Sequence, residues 1–175
     1  RREQSALAAA VARCDIIHIT SYLDPVSPLM IARMLERARI DNPDLIVSLD
    51  PGMAWIAPGG EGLDHLLAQT NILHLNNEEF ARLYGAAALP IIGTGLQSNW
   101  FVVARTHGGV TLHSKMGATS YDPQLPAIDA IDSTGAGDTF CGAFLWSYCR
   151  DMTRPQRAAS LGFALARQKV GRAGP

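Results

Sequence analysis

Short apolar runs alternate with helical patterns along the first half of the chain. Three short apolar runs predict strands: residues 14–20 (CDIIHIT), 45–50 (LIVSLD) and 72–76 (ILHLN). The first is rich in β-branched side chains, which is typical of a strand buried on both faces. Helices are predicted at the opening of the chain and at residues 28–39, 62–68 and 77–84. Strands that alternate with helices form βαβ units, so the pattern predicts an α/β fold with a parallel sheet that helices cover on both faces.

The pattern changes in the second half. Residues 100–105 and 110–114 predict two strands joined by the turn THGG, as in a β-hairpin. A polar loop follows, and an alternating apolar run at residues 128–131 predicts one more strand. Two final helices are predicted near residues 135–150 and 155–170. The segment 86–99 contains glycine and proline and is compatible with helix, strand or loop.

Composition and charge narrow the class of protein. The 175 residues are 47% hydrophobic and 18% charged, with a formal net charge of -1, which suits one domain with a sizeable core. The chain has no basic block and no apolar run of ~18 residues, so we expect neither nucleic-acid binding nor a membrane span. Cys14, Cys141 and Cys149 are odd in number and lack C-x-x-C spacing. This usage predicts buried thiols and a cytoplasmic location.

Residues 132–138 read DSTGAGD and stand between the apolar run at 128–131 and a predicted helix. A strand that stops at a glycine-rich turn and restarts as a helix directs backbone N–H groups and the positive end of the helix dipole at one point. The sequence therefore predicts an anion site. Asp138 adds a carboxylate in the first helical turn, where a phosphoryl-transfer enzyme needs a group that accepts the proton of the attacking hydroxyl.

Two common glycine-rich phosphate-binding motifs do not match this turn. The dinucleotide fingerprint G-x-G-x-x-G needs a glycine where this chain has Phe140. A Walker-type P-loop needs a lysine directly after its second glycine, and neither Lys115 nor Lys169 fits that pattern. The remaining structural alternative is a tight strand-to-helix turn in which Asp138 only caps the helix.

With this turn placed in an α/β chain, the sequence resembles the ribokinase-like (PfkB) carbohydrate kinase family. The family signature D-T-x-G-A-G-D, followed by a helix, is matched by DSTGAGD with Asp138, Phe140 and Gly142. A second family motif, N-x-x-E at the end of a central strand, is matched by Asn76 and Glu79. The resemblance implies a three-layer α/β/α, Rossmann-like fold with a mostly parallel sheet.

The family's functional residues carry over by position. Asp138 would be the general base for the substrate hydroxyl. The anion hole for the transferred phosphoryl group would be the backbone N–H groups of Gly135, Ala136, Gly137 and Asp138. The nucleotide side would consist of Arg105, Thr106, Gly108, Gly109 and Phe163.

Asn76 and Glu79 resemble the pair that holds Mg²⁺ near the nucleotide phosphates, usually through water. An amide and a carboxylate supply hard oxygen ligands that suit this ion. Their alternative role is helix capping, with Glu79 completing a capping box on Asn76. Some family members also use a monovalent cation such as K⁺ near the glycine-rich turn, and the resemblance makes Asp132 its expected ligand here.

The chain departs from the family pattern in several places. Ala104, Arg105 and Thr106 replace the usual T-x-G turn, which alters the nucleotide contact. Phe163 stands where the late helix often carries asparagine, and it either stacks on adenine or packs in the core. Trp55, in a segment similar to D-P-N-x-R-x-x-x-W, is either a platform for a sugar or a packing residue.

The resemblance runs from about residue 12 to the end, and family members have about three hundred residues. We therefore expect residues 1–175 to be the C-terminal, nucleotide-binding portion of one ribokinase-like domain, without the N-terminal strands, the lid and most substrate contacts. The implied activity is ATP- and Mg²⁺-dependent phosphorylation of a sugar or related small molecule, with a homodimer as one assembly the family allows. The alternatives are a nucleoside kinase of the same fold and an inactive regulatory or dimerising module.

Overall fold

The computed structural model describes residues 2–85, 92–126, 128–129 and 131–172. The helices are α1 (Arg2–Val11), α2 (Ser27–Asp41), α3 (Gly52–Ile56), α4 (Glu61–Ala68), α5 (Asn77–Tyr84), α6 (Ala136–Tyr148) and α7 (Pro155–Val170). The strands are β1 (Ile16–Thr20), β2 (Ile46–Asp50), β3 (Ile72–Asn76), β4 (Phe101–Arg105), β5 (Val110–Ser114) and β6 (Gly117–Tyr121). Most of these elements were predicted from the sequence pattern, with ends within two residues.

In the described part of the chain the sheet has six strands in the order β1 to β6, so each strand neighbours the next one in sequence. β1, β2 and β3 are parallel, with Ile16 opposite Ile46 and Ser48 opposite Ile72. Four residues separate β4 from β5 and two separate β5 from β6, and connections this short join antiparallel neighbours. The predicted α/β class with a parallel sheet is confirmed, and the hairpin turn THGG lies where the pattern placed it.

The chain divides into two compact units, Arg1–Val102 with His113–Met116, and Val103–Leu112 with Gly117–Pro175. In the first unit α2 packs against both α1 and α4. Its core is almost wholly aliphatic, and the innermost side chains include Leu35, Leu45, Val47, Leu49, Trp55, Leu66 and Leu73. The buried positions of α2 recur every three or four residues, which keeps them on one face of the helix.

A polar bridge crosses the three parallel strands of the first unit. The hydroxyl oxygen of Ser48 on β2 lies 3.0 Å from His18 Nδ1 on β1 and 3.1 Å from His74 Nε2 on β3. Ser48 and His74 are completely buried. These hydrogen bonds satisfy polar atoms that would otherwise destabilise the apolar interior.

In the second unit α6 and α7 pack closely. Phe140, Phe144 and Tyr148 lie on one face of α6, with ring centroids 6.1 Å and 5.8 Å apart in succession. Gly162 of α7 faces Phe140, and a Cβ atom at Gly162 would come within 3.0 Å of that ring and of the Phe140 carbonyl oxygen. The missing side chain therefore lets the two helices approach.

The run at residues 128–131 does not form the predicted strand in any of its described residues, 128, 129 and 131. Ile128 and Ile131 are 39% and 63% exposed, so their alternation does not mark a buried face. The N–H of Ile131 instead donates to the Val170 carbonyl oxygen at 3.0 Å. Ala130 lies outside the described residues, as do residues 86–91 of the segment whose pattern was ambiguous.

The exposure of the three cysteines tests the expectation drawn from composition. The prediction of three buried thiols is wrong for Cys14 and Cys149, which are exposed, and right for Cys141. Both exposed cysteines come just after the end of a helix. Their neighbours in sequence are apolar, but the folded chain leaves these positions at the surface. Within the described ranges, no helix combines the length and apolar composition that crossing a bilayer requires.

Candidate active site

The glycine-rich turn leads directly into α6. Gly135 occupies the N-cap position with φ 75° and ψ 3°, in the left-handed region where a side chain would be strained. The N–H of Ala136 donates to the Ser133 carbonyl oxygen at 3.1 Å, and the N–H of Thr139 donates to the Gly135 carbonyl oxygen at 2.8 Å. The sequence pattern thus predicted both the turn and the start of the helix correctly.

The first turn of α6 presents backbone donors. Among the residues that the structure describes, no protein acceptor pairs with the N–H of Gly137 or Asp138. Such groups, at the positive end of a thirteen-residue helix, favour an anion. Ala136, also predicted as a donor to the anion, already uses its N–H within the turn. The carboxylate of Asp138 is exposed in the same helical turn.

Arg105, at the end of β4, runs along this first turn. Its Nη1 lies 3.4 Å from the Gly137 carbonyl oxygen and 3.5 Å from Cys141 Sγ. The guanidinium carbon also lies 5.6 Å from the centroid of the Phe140 ring, a cation–π contact. Arg105 therefore adds positive charge beside the start of α6. The sequence alone did not reveal this contact, because Arg105 and α6 are far apart along the chain.

The predicted nucleotide turn between β4 and β5 is built around Thr106. Its Oγ1 accepts hydrogen bonds from the N–H groups of Gly108 at 3.2 Å and Gly109 at 2.9 Å. The N–H of Thr106 donates to the Gly109 carbonyl oxygen at 2.9 Å. A Cβ atom at Gly109 would collide with the Tyr121 carbonyl oxygen, so only glycine fits there.

Two aromatic residues with alternative roles are core residues in the structure. Phe163 is 7% exposed and meets the Tyr121 ring edge-on, with centroids 6.0 Å apart. Trp55 is 1% exposed and its indole N–H donates to the Asp24 carbonyl oxygen at 3.1 Å. The packing interpretation of Trp55 is confirmed, and the sugar-platform alternative is wrong because neither ring face is accessible.

Asn76 and Glu79 belong to the first unit and form a complete capping box at the start of α5. Asn76 Oδ1 accepts from the Glu79 N–H at 2.9 Å, and Glu79 Oε2 accepts from the Asn76 N–H at 2.8 Å. Glu79 is 5% exposed. In the described part of the chain, no group of three His, Cys, Asp or Glu side chains forms a ready-made metal site. The capping role is therefore present in the geometry, and the metal role remains a prediction.

Asp132 organises the residues that precede Gly135. Its Oδ1 accepts a hydrogen bond from the Thr134 N–H at 2.8 Å, and its Oδ2 lies 3.7 Å from Lys169 Nζ. The hydrogen bonds from Thr134, and then the charge of Lys169, hold the pKa of Asp132 below its usual value. Sequence reasoning missed Lys169, because it lies on α7 and no local spacing connects it to Asp132.

Comparison with known proteins gives the family. The model of the pfkB family carbohydrate kinases matches residues 1–175. A protein of Archaeoglobus fulgidus described as an uncharacterized sugar kinase is 29% identical over 140 residues, covering 78% of this chain and 53% of the relative. An ATP-dependent ribose-1-phosphate kinase of Halopiger xanaduensis is 29% identical over 143 residues, covering 81% of this chain and 44% of the relative.

The structure of Arabidopsis thaliana ribokinase complexed with ribose and ATP superimposes with a TM-score of 0.74 at 21% identity, covering 95% of this chain and 53% of that one. This likeness shows that the chain has the ribokinase fold. The chain spans about half the length of the curated relatives it matches. On the match along its whole length, the chain belongs to the pfkB family of carbohydrate kinases.

Proposed function

We propose that the protein is an ATP-dependent phosphotransferase that phosphorylates an alcohol group of a sugar or related small molecule. The observation that carries this proposal is the exposed carboxylate of Asp138 in the first turn of α6, beside the N–H groups of Gly137 and Asp138, for which the described residues offer no acceptor. A carboxylate at that place repels a bound anion, so it does not suit a site that only binds anions. Relatives named as kinases of sugars and of ribose-1-phosphate support the same chemistry.

In the proposed reaction the oxygen of the acceptor hydroxyl forms a bond to the γ-phosphorus of ATP, and the bond from that phosphorus to ADP breaks. The hydroxyl proton passes to the carboxylate of Asp138. The N–H groups of Gly137 and Asp138 stabilise the charge on the phosphoryl oxygens, and they do so without rearrangement because α6 fixes them. The guanidinium of Arg105, 3.4 Å from the Gly137 carbonyl oxygen, adds positive potential at the same turn.

Mg²⁺, when bound, would neutralise phosphate charge, and the donor set of Asn76 and Glu79 fits this ion. Each capping hydrogen bond uses one side-chain oxygen, Asn76 Oδ1 or Glu79 Oε2. A carboxylate has about four lone-pair sites, so accepting one N–H does not exclude a metal or a metal-bound water. We propose that the capping box also holds the Glu79 carboxylate in place at the start of α5 to bind Mg²⁺ or a water of that ion.

The direct test measures acceptor-dependent ADP formation by the complete protein with panels of sugars, sugar phosphates and nucleosides. We expect at least one alcohol to raise ADP formation, and Asp138→Asn to abolish that increase while the protein still binds nucleotide. If no acceptor raises ADP formation in the wild-type protein, the kinase proposal fails and a regulatory role takes its place. The sugar and nucleoside panels separate the two substrate classes.

A further inference from the structure

The ammonium group of Lys169 places a positive charge next to the glycine-rich turn. Its Nζ lies 3.7 Å from Asp132 Oδ2, and its side chain is only 13% exposed. Among the described residues, Nζ is buried with no acceptor within hydrogen-bond distance. A buried ammonium is unfavourable unless an opposite charge compensates it. The Asp132 carboxylate is the opposite charge that the structure places beside it.

The backbone fixes this pairing. The N–H groups of Ile131 and Asp132 both donate to the Val170 carbonyl oxygen, at 3.0 Å and 3.3 Å. Val170 directly follows Lys169 at the end of α7. The end of α7 and the segment before the turn are therefore joined at the residues that carry the two charges, and the ion pair does not depend on two freely moving side chains.

The same carboxylate shapes the turn. Asp132 Oδ1 accepts the Thr134 N–H at 2.8 Å, immediately before Gly135 adopts its left-handed conformation. The two oxygens of Asp132 therefore have different roles, since one holds the backbone and the other faces the ammonium. A positive charge at Oδ2 keeps Asp132 ionised and so keeps it an acceptor for Thr134.

A monovalent cation at Asp132, which the family resemblance implies, does not fit this arrangement. A second cation near Oδ2 would lie within a few ångströms of the Lys169 ammonium, and like charges at that distance repel each other. We infer that Lys169 takes the place of the cation: its ammonium neutralises Asp132 and holds the turn that precedes the anion site. The effect on catalysis rests on the proposed kinase function, whereas the effect on the turn does not.

The experiment compares KCl with choline chloride at equal ionic strength, because choline is too large to replace a bound cation. Thermal unfolding is measured for the wild type, Lys169→Met, Lys169→Arg and the control Lys115→Met, which removes the other, exposed lysine. We expect the wild type, Lys169→Arg and Lys115→Met to melt at the same temperature in both salts. Lys169→Met should melt lower by roughly 2–4 °C in choline, and KCl should recover part of this loss.

The kinase rate of the complete protein gives the second measurement. The wild-type rate should be equal in the two salts, and Lys169→Met should lose roughly tenfold in choline, the effect of one charge-assisted contact, with partial rescue by KCl. A saturable rise of the wild-type rate or melting temperature in KCl would overturn the inference, as would a Lys169→Met protein that behaves like wild type in both salts. If the wild type phosphorylates no acceptor, the proposed function fails, and the melting temperatures still decide the role of Lys169.

Discussion

The side chains of Asn76 and Glu79 each cap the other's backbone, with N–H to oxygen distances of 2.9 Å and 2.8 Å. The same two residues match the family motif for magnesium, so a single pair is a candidate for both roles. Replacing Glu79 with glutamine separates them, because the amide keeps an acceptor for the Asn76 N–H but loses the charge that Mg²⁺ prefers.

For Glu79→Gln we expect a roughly tenfold rise in the Mg²⁺ concentration that gives half-maximal rate, the usual size of such an effect on metal affinity. The measurement is a magnesium titration of the kinase rate at saturating substrate. Glu78→Gln is the matched control, since Glu78 is the exposed neighbour and occupies a variable position of the N-x-x-E motif. A lower melting temperature with an unchanged magnesium titration would leave Glu79 with a capping role alone.

For Asp138→Ala we expect kcat to fall by ~10² to 10⁴-fold with little change in nucleotide affinity, because a general base acts mainly in the transition state. The measurements are kcat and nucleotide binding on the complete protein. Asp64→Ala is the control, because Asp64 is also an exposed aspartate in the first turn of a helix. If the kcat values of Asp138→Ala and Asp64→Ala lie within a few-fold of each other, Asp138 is not a general base and only stabilises the start of the helix.

For Gly109→Ala we expect destabilisation by ~1–3 kcal/mol, the usual cost of forcing an added methyl group into a packed site. The reason is the Tyr121 carbonyl oxygen, which occupies the space that the new Cβ atom would need. Gly108→Ala is the control one residue away, because its Cβ atom would meet nothing within 4 Å. Urea unfolding of both variants measures the difference, and equal midpoints would show that the turn adapts at no cost.

Stability at high pH should depend on Tyr84, since burial raises its pKa to about 12. The unfolded chain releases this proton near pH 10, and the folded protein holds it until about pH 12. The stabilising contribution is therefore complete below pH 10 and is lost as the pH rises from 10 to 12, by on the order of 2 kcal/mol.

Urea unfolding of the wild type and Tyr84→Phe across this range isolates the effect of that hydroxyl. The wild type should lose more stability than Tyr84→Phe between pH 10 and 12. Tyr22→Phe serves as the control, because Tyr22 is 66% exposed. Parallel curves for the wild type and Tyr84→Phe would show that the phenol titrates alike in the folded and unfolded protein.

The sequence predicted an element best where the residues that start or end it and the pattern of its buried face indicate the same boundary. β3 and α5 were placed to the residue, because an apolar run ends at Asn76 where the capping box begins. The helix α7 was placed equally well, from Pro155 at its start. In both cases, local signals and the tertiary fold favour the same boundary.

The elements that the sequence missed lack such agreement. β6 reads GATSY and is almost wholly exposed, so its pairing beside β5 leaves no apolar pattern. α3 begins at Gly52, where the Pro-Gly pair indicated only the end of a strand. The contact between Asp132 and Lys169 joins a loop to a helix end far along the chain, and only the folded backbone brings the two together.

The hydroxyl group of Ser48 has a consequence for where protons reside inside the sheet. It carries a single hydrogen and therefore donates to only one of its two imidazole neighbours, His18 Nδ1 or His74 Nε2. The other ring must then carry a hydrogen on the nitrogen that faces Ser48. The tautomer of one histidine thus constrains that of the other two strands away, and the direction of these bonds reverses only if the hydroxyl rotates and both rings change tautomer together.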